Sequence, residues 1–512
     1  MFVLFEGELK STIIDNSIRY LKSSLFFLIL ARHLFLTFKH FNMSSATFVV
    51  VGGGIAGVTC IENLFFYAPN EKVILLTASP LIKTITELVP ISRMVTSFSV
   101  TECDVELLRK KHLNLNIVYD KLKKVISTRN TIVTESGLSI EYKYLCICTG
   151  GVPNIIPQAF NNSKVLGIRD TDSVENYREK LKQSKRILIV GNGGIASELV
   201  YATEDVEIIW VVKDNYISST FIDPGAAEFF RTSSNFSKSD ANKKIKGSLK
   251  RIKYSEDHTN QTHPTTECRA AALGPDWLKD RNVSGNSKFS LQIIYEAQIA
   301  NIIDTEGEWP LRVELSNGNV CNCDLVISAT GVKPMTQFES DGELKLGTDG
   351  GLAVDWRMET SIKNMFAAGD VASAEWSPAP HWFQMRLWTQ AYQMGAMAAK
   401  SMHAYLTRET ILQDFCFELF SHTTKLFGYQ IVLLGNFNGQ GLGSNYEILI
   451  RSTPNVEYIK FVLADNKLQG AILIGETGLE ETCENLILNQ LDLSPYGDDI
   501  LNPDIDIEDY FD

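Results

Sequence analysis

At 512 residues, with 45% hydrophobic and 21% charged side chains, the chain has the make-up of a soluble globular protein of two to four domains. A formal charge of −13 argues against a general polyanion binder, so direct nucleic-acid binding is not expected. Nine cysteines, an odd number without disulfide-framework spacing, fit a reducing compartment, and no metal site is expected.

Residues 1–46 read as an N-terminal extension. Its apolar run, Leu25 to Phe38, is broken by Arg32 and His33 and is too short to span a bilayer comfortably. Glu6, Glu8 and Asp15 do not suit a mitochondrial presequence. A natural core begins at Met43, so the extension is expected to be disordered or a product of gene assignment rather than a signal, with no membrane association.

From residue 47 the pattern sharpens. FVVVGGGIAG runs an apolar strand into Gly52, Gly54 and Gly57. About 139 residues later RILIVGNGGIASE does the same at Gly191, Gly193 and Ala196. The first glycine permits a tight strand-to-helix turn, the second lets the backbone approach a pyrophosphate, and the third small residue lets helix and strand pack closely. One such fingerprint is weak evidence. Two in order imply two Rossmann units, the first suited to a flavin dinucleotide and the second to a nicotinamide one.

In the first unit the strand Lys72–Thr77 ends without the acid that usually holds a ribose; Thr77 and Ser79 stand near that place. YKYLCICTGG brings Thr149 and Gly150 to the carboxyl edge of the sheet, where open α/β folds bind ligands. In the second unit the strand Glu207–Val212 is followed by Lys213 and Asp214. An acid there favours NADH and a base the 2′-phosphate of NADPH, so the pair leaves the choice open. Residues 232–288 are polar and without sustained periodicity, an insertion or long surface loop.

CDLVISATG, ending at Gly331, returns the chain to the first lobe, and FAAGD supplies Gly369 and Asp370. A helix pattern runs from about His381 to Tyr405, its N-terminus a candidate dipole for a reduced flavin ring. Beyond Phe415, alternating strands and one helix suggest a third, β-rich domain. DDILNPDIDIEDYFD, residues 498–512, carries only acidic charges and reads as a solvated tail or a docking peptide.

The order of these motifs (GxGxxG, CTG, GxGxxA-x-Glu, SATG, AAGD) resembles the FAD-dependent pyridine nucleotide-disulfide oxidoreductases over about residues 47–490. The resemblance implies FAD and NAD(P)H as cofactors, with Asp370 on the ribityl chain. It places Glu198 near flavin and nicotinamide, with Lys83 in SPLIKT its candidate partner. The implied fold is α/β, with two Rossmann-like dinucleotide-binding domains (FAD and NAD(P)) plus a C-terminal β-rich α+β domain. The expected division is an FAD-binding domain over 47–170 and 331–410, an NAD(P)-binding domain over 171–330, the β-rich domain over 411–490 and an acidic tail over 491–512. Narrower strings, among them GIRDTDS, QMRLWTQA and NPDIDIEDYFD, resemble one branch of the family. That resemblance implies partnership with a tRNA ligase complex, protected from oxidation, in nucleus and cytoplasm.

One departure stands out. Ser79–Ser99, where disulfide reductases carry a cysteine segment against the flavin, has no cysteine. The pairs Cys146/Cys148 and Cys321/Cys323 have CxC spacing, strained for a disulfide, and read as core. The family's C-terminal HPxxE signature is missing from the last domain; HPTTE at His263 lies in the insertion.

Overall fold

The computed structural model describes residues 45–159, 161–168, 170–232, 248–254 and 289–502. The N-terminal extension, most of the insertion with HPTTE, and residues 503–512 of the tail lie outside the described residues.

The first lobe is built on β1 (Ser45–Val51), α1 (Ile55–Tyr67) and β2 (Val73–Thr77). A hairpin follows, β3 (Leu81–Pro90) and β4 (Thr96–Asp104), then α2 (Val105–Lys111), β5 (Leu115–Tyr119) and, further on, β6 (Ser139–Ile147). β6, β1, β2 and β5 lie side by side and parallel, with Met365–Ala367 parallel against β6. Such strands read as unbroken apolar runs because both faces are covered, and Phe48, Val49, Val50, Leu75 and Leu76 are fully buried.

The second lobe comprises α3 (Thr171–Leu181), β7 (Arg186–Val190), α4 (Gly194–Ala202), β8 (Glu207–Val211) and α5 (Pro224–Thr232). Its parallel sheet has the order 165–167, 325–328, β7, β8, 290–294. The two lobes are joined by a two-stranded antiparallel ribbon, Gly151–Pro153 against Val332–Pro334. The chain then re-enters the first lobe through Glu339–Ser340 and Met365–Ala367, which join its sheet, and continues into α6 (Trp388–Thr407).

A six-stranded antiparallel sheet with α7 (Glu480–Asn489) forms the third domain. It is not a satellite. Ile187, Trp210, Phe229 and Phe230 of the second lobe share one core with Leu433, Phe437, Tyr458 and Ile474 of the third domain. Lys460, 2% exposed at its side chain, is paired with Asp223 at 3.0 Å and donates to Asn438 at 2.8 Å. The Tyr458 hydroxyl also donates to Asp223 at 3.0 Å. On the opposite face the tip of the β3–β4 hairpin docks: Met94 N–H donates to the buried Glu484 carboxylate at 3.0 Å.

Three expectations are corrected here. The helix expected from His381 starts at Trp388. Gln384 and Arg386 bond Ala372, Ala374 and Asp370, and Gln390 holds the backbone of Phe383 and Met385, so residues 383–387 stay non-helical. The insertion contains a strand, Ser248–Tyr254, that pairs antiparallel with 446–453 at the edge of the third sheet. An unpaired strand edge offers hydrogen bonds that no local sequence pattern foretells. Finally, the tail does not begin at 491 as a solvated segment: Leu493, Ile500 and Leu501 are buried against the third domain.

Candidate functional site

The two fingerprints fold into the same turn. Gly52 has φ +115° and Gly191 φ +134°, a region closed to most side chains. A Cβ on Gly52 would lie 2.1 Å from the Cys148 carbonyl oxygen; on Gly191 it would lie 2.1 Å from that of Ala329. Gly57 could bear no Cβ either, 2.0 Å from the Gly52 carbonyl, whereas the second unit accommodates Ala196 there, fully buried. Gly54 and Gly193 are different. Each is the N-cap of its helix, and a Cβ on Gly54 would meet nothing within 4 Å. These positions are open on the side from which a ligand would come.

Capping and first-turn charge together separate these helices from the others, α7 being uncapped but opening on Glu480 and Glu481. α2 is capped by Asp104, α3 by a capping box of Asp170 and Ser173, and α5 by the Asp223 carboxylate. α1, α4 and α6 have no side-chain cap and no acid in the first turn. Their leading N–H groups and positive dipole ends remain available to an anion.

α1 and α6 act together. A Cβ on Gly395 would sit 2.4 Å from the Ala56 carbonyl oxygen, and one on Gly369 2.9 Å from the Ala56 side chain. Eleven residues along α1, Tyr67 stacks on His403 at 5.4 Å. The helices therefore run parallel, with Gly369 and Asp370 against their leading ends. By residue count α6 projects about 9 Å further forward than α1. Asp370 is fixed through its backbone: its carbonyl accepts from Arg386 Nε at 2.9 Å, and Arg386, 6% exposed, is paired with Asp349. Sequence reasoning missed Arg386 and Asp349, since nothing in their spacing marks them.

Thr149 and Gly150 end the strand beneath the first turn; the Thr149 hydroxyl donates to the Met335 carbonyl at 2.7 Å. Gly331, with φ +95°, occupies the matching place beneath the second. Thr77 is 4% exposed, and its hydroxyl donates to the Ser79 carbonyl at 2.9 Å. The group expected to reach a ribose is thus committed to its own turn. Asp214 Oδ2 accepts from Asn192 at 2.7 Å and from Ser219 at 2.6 Å, while Lys213 is exposed.

Glu198 lies half-buried on α4, four residues after its first. Lys83 lies on β3 opposite Glu102 of β4, with Nζ 3.7 Å from that carboxylate. The Lys83 backbone N–H donates to Gly53 at 2.9 Å, so the hairpin starts from the phosphate turn itself.

All eight described cysteines are free. Cys146 and Cys148 have sulfurs 3.5 Å apart, and Cys60 joins them through a hydrogen bond to Cys146. Burial raises the pKa of Cys60, and the hydrogen bond with Cys146 together with burial raises Cys148 well above the ordinary range. Burial pushes Cys323 up to about 12. Protonated, enclosed thiols of this kind are poor nucleophiles. Among the described residues no cluster of His, Cys, Asp or Glu could hold a metal ion, and no helix is long and apolar enough to cross a membrane.

The sequence profile of the pyridine nucleotide-disulphide oxidoreductases matches residues 46–231 and 287–395, and that of the rubredoxin NAD+ reductase C-terminal domain matches 421–491. A Drosophila melanogaster protein named pyridine nucleotide-disulfide oxidoreductase domain-containing protein 1 is 50% identical over 473 residues, covering 91% of this chain and 99% of its own. Its Homo sapiens namesake is 45% identical, covering 92% and 98%. Among solved structures, a ferredoxin reductase from Rhodopseudomonas palustris is similar at TM-score 0.64 and 18% identity, covering 91% of this chain and 99% of that one. A water-forming NADH oxidase from Lactobacillus brevis bound to NADH is similar at TM-score 0.58 and 17% identity, covering 88% and 91%.

Proposed function

The chain belongs to the pyridine nucleotide-disulphide oxidoreductase family, with FAD and NAD(P)H as cofactors, and from that premise we propose that it passes electrons onward without a cysteine relay. FAD, when bound, supplies the two-electron chemistry that accepts hydride from NAD(P)H. The residues present fit it. The bare N-terminus of α1 and the open face of Gly54 would receive the pyrophosphate, Asp370 the ribityl chain, and the N-terminus of α6 the electron-rich edge of the ring. The N-terminus of α4 would receive the nicotinamide dinucleotide, with Glu198 and Lys83 fixing the approach of one ring to the other.

The observation that carries the reading is this contrast of bare helix ends with thiols that are all free among the described residues, the single one on the β3–β4 hairpin, Cys103, facing the Thr84 hydroxyl at 3.9 Å rather than a second sulfur. Electrons would then leave directly, to oxygen or a quinone. The test is an anaerobic reductive titration of the purified chain, followed at the flavin bands near about 370 and 450 nm. Full reduction at about two electrons per flavin is expected. An uptake of about four would reveal a redox-active disulfide and overturn the reading. A colourless protein that takes up no added FAD would overturn its basis.

A second reading concerns the tail. Its first residues are anchored, with Arg451 donating to the Leu501 carbonyl at 3.3 Å, and the segment beyond is rich in acid. That arrangement suits a docking peptide for a positively charged, metal-bearing site, and supports a protective partnership with a tRNA ligase complex in nucleus and cytoplasm. Deleting residues 503–512 should abolish binding to the ligase and leave NAD(P)H oxidation unchanged. A truncated chain that still shields the ligase fully would sink the idea.

A further inference from the structure

The backbone hydrogen bonds of the two Rossmann units can be laid over one another. Gly52 N–H donates to Leu76 and Gly191 N–H to Val211. Cys148 donates to Val51 and Ala329 to Val190. The carbonyl of Thr77 accepts from Asp120, and that of Val212 from Ala297. The residue of the second unit that corresponds to Thr77 is therefore Val212, one place before the pair singled out in the sequence. Val212 is fully buried, and its side chain belongs to the core shared with the third domain.

This leaves the second unit without a carboxylate at the strand end where an acid would hold the 2′- and 3′-hydroxyls of an adenosine ribose. The nearest acid, Asp214, is turned to the turn's own scaffolding. Its Oδ2 takes both Asn192 and Ser219, and the Asn192 side chain in turn donates to Tyr216 O at 2.9 Å and accepts from Ser218 N–H at 2.5 Å. Asp214 thereby locks the loop after β8 to the fingerprint. Lys213 is left exposed beside the strand end; Glu296, also exposed, follows the neighbouring strand, its N–H on the Asp214 carbonyl at 3.1 Å.

We propose that Lys213 is the specificity-determining residue of the nicotinamide site and that the site takes a 2′-phosphorylated dinucleotide, NADPH, in preference to NADH. An ammonium at this place meets a 2′-phosphate as a point charge, while the Asp214 carboxylate is occupied by Asn192 and Ser219. The inference rests on the reading of the second unit as the NAD(P)H site.

Binding and reduction separate the two. Calorimetry with 2′,5′-ADP and with 5′-AMP on the intact flavoprotein should give tighter binding of the former by about tenfold, a margin that Lys213→Ala removes. In steady-state assays Lys213→Ala should lower the NADPH-to-NADH ratio of kcat/KM by about tenfold, chiefly through the KM for NADPH. Equal binding of the two nucleotides, or a ratio that Lys213→Ala moves less than twofold, overturns the specificity inference and leaves the oxidoreductase standing. Failure of both NADH and NADPH to reduce the bound flavin would instead overturn the oxidoreductase reading.

Discussion

In the first Rossmann unit the helix behind the phosphate turn, α1, packs on α6, with Gly395 and Gly369 giving way to Ala56. Its core of Phe48, Ile61, Phe366 and Met394 is the lobe's own. In the second unit the helix behind the turn, α4, faces the third domain: Leu199 and Val200 share a core with Phe427 and Leu433. The turns are twins, and their supports are not. A turn needs only glycines and two parallel strands, so it recurs wherever they are supplied. What covers the helix determines whether the unit stands alone. The second unit is welded to its neighbour by buried area and a buried ion pair, while a two-stranded ribbon is its covalent link to the first.

Substitution at the two N-caps should separate the units most strongly. Gly54→Asp meets no steric obstacle at φ −77°, yet sets a carboxylate where the pyrophosphate would lie. The folded variant should lose essentially all flavin, read as the 450 nm to 280 nm absorbance ratio; normal flavin content would contradict the placement. Gly193→Asp, at φ −101° with Thr220 Oγ1 3.7 Å away, should keep its flavin and lose at least about a hundredfold in the rate of reduction by NAD(P)H, measured by stopped flow.

Breaking the weld probes the second support. Lys460→Ala leaves Asp223 buried without its cation and should cost about 3–5 kcal/mol in denaturant unfolding. Retention of wild-type stability would mean that the lock is ornamental. His422 sharpens the comparison in pH. Burial at the meeting of Thr389, Trp388 and Phe221 lowers its pKa from 6.5 to about 3. The unfolded chain binds a proton below about 6.5 and the folded one resists it, so stability falls as pH drops from about 6.5 toward 3. The slope is about 1.4 kcal/mol per pH unit. His422→Gln should flatten that acid limb in thermal unfolding. The smallest effect is expected at the thiols: Cys146→Ser or Cys148→Ser should change the rate of flavin reduction less than twofold, despite a loss of stability of about 1–2 kcal/mol.

The particular residues show which features could be read in advance. Both fingerprints, the Thr149–Gly150 and Gly331 strand ends and the Gly369–Asp370 turn are short local strings whose conformations follow from glycine and β-branched neighbours, and they stand out without a fold. Lys213 and Asp214 did not yield their roles, because the strand register and the hydrogen bonds of Asn192 separate a charge facing out from one turned in. Arg386 carried no signal at all, and its place against Asp370 arises from chain segments 16 residues apart. The start of α6 was misread for a related reason: side chains of 384, 386 and 390 outbid helix propensity between 383 and 387.

By itself, then, the amino-acid order determined two fingerprint turns, their order along the chain and the lack of a cysteine in Ser79–Ser99. Those properties depend on backbone sterics within a dozen residues, which tertiary packing does not alter. The folded molecule alone decided which helix ends stay uncapped, which acid is spent on scaffolding, and that the insertion's strand 248–254 joins the third sheet. Each of these is a competition among distant partners for one hydrogen-bonding group, and only the assembled chain brings the competitors within reach.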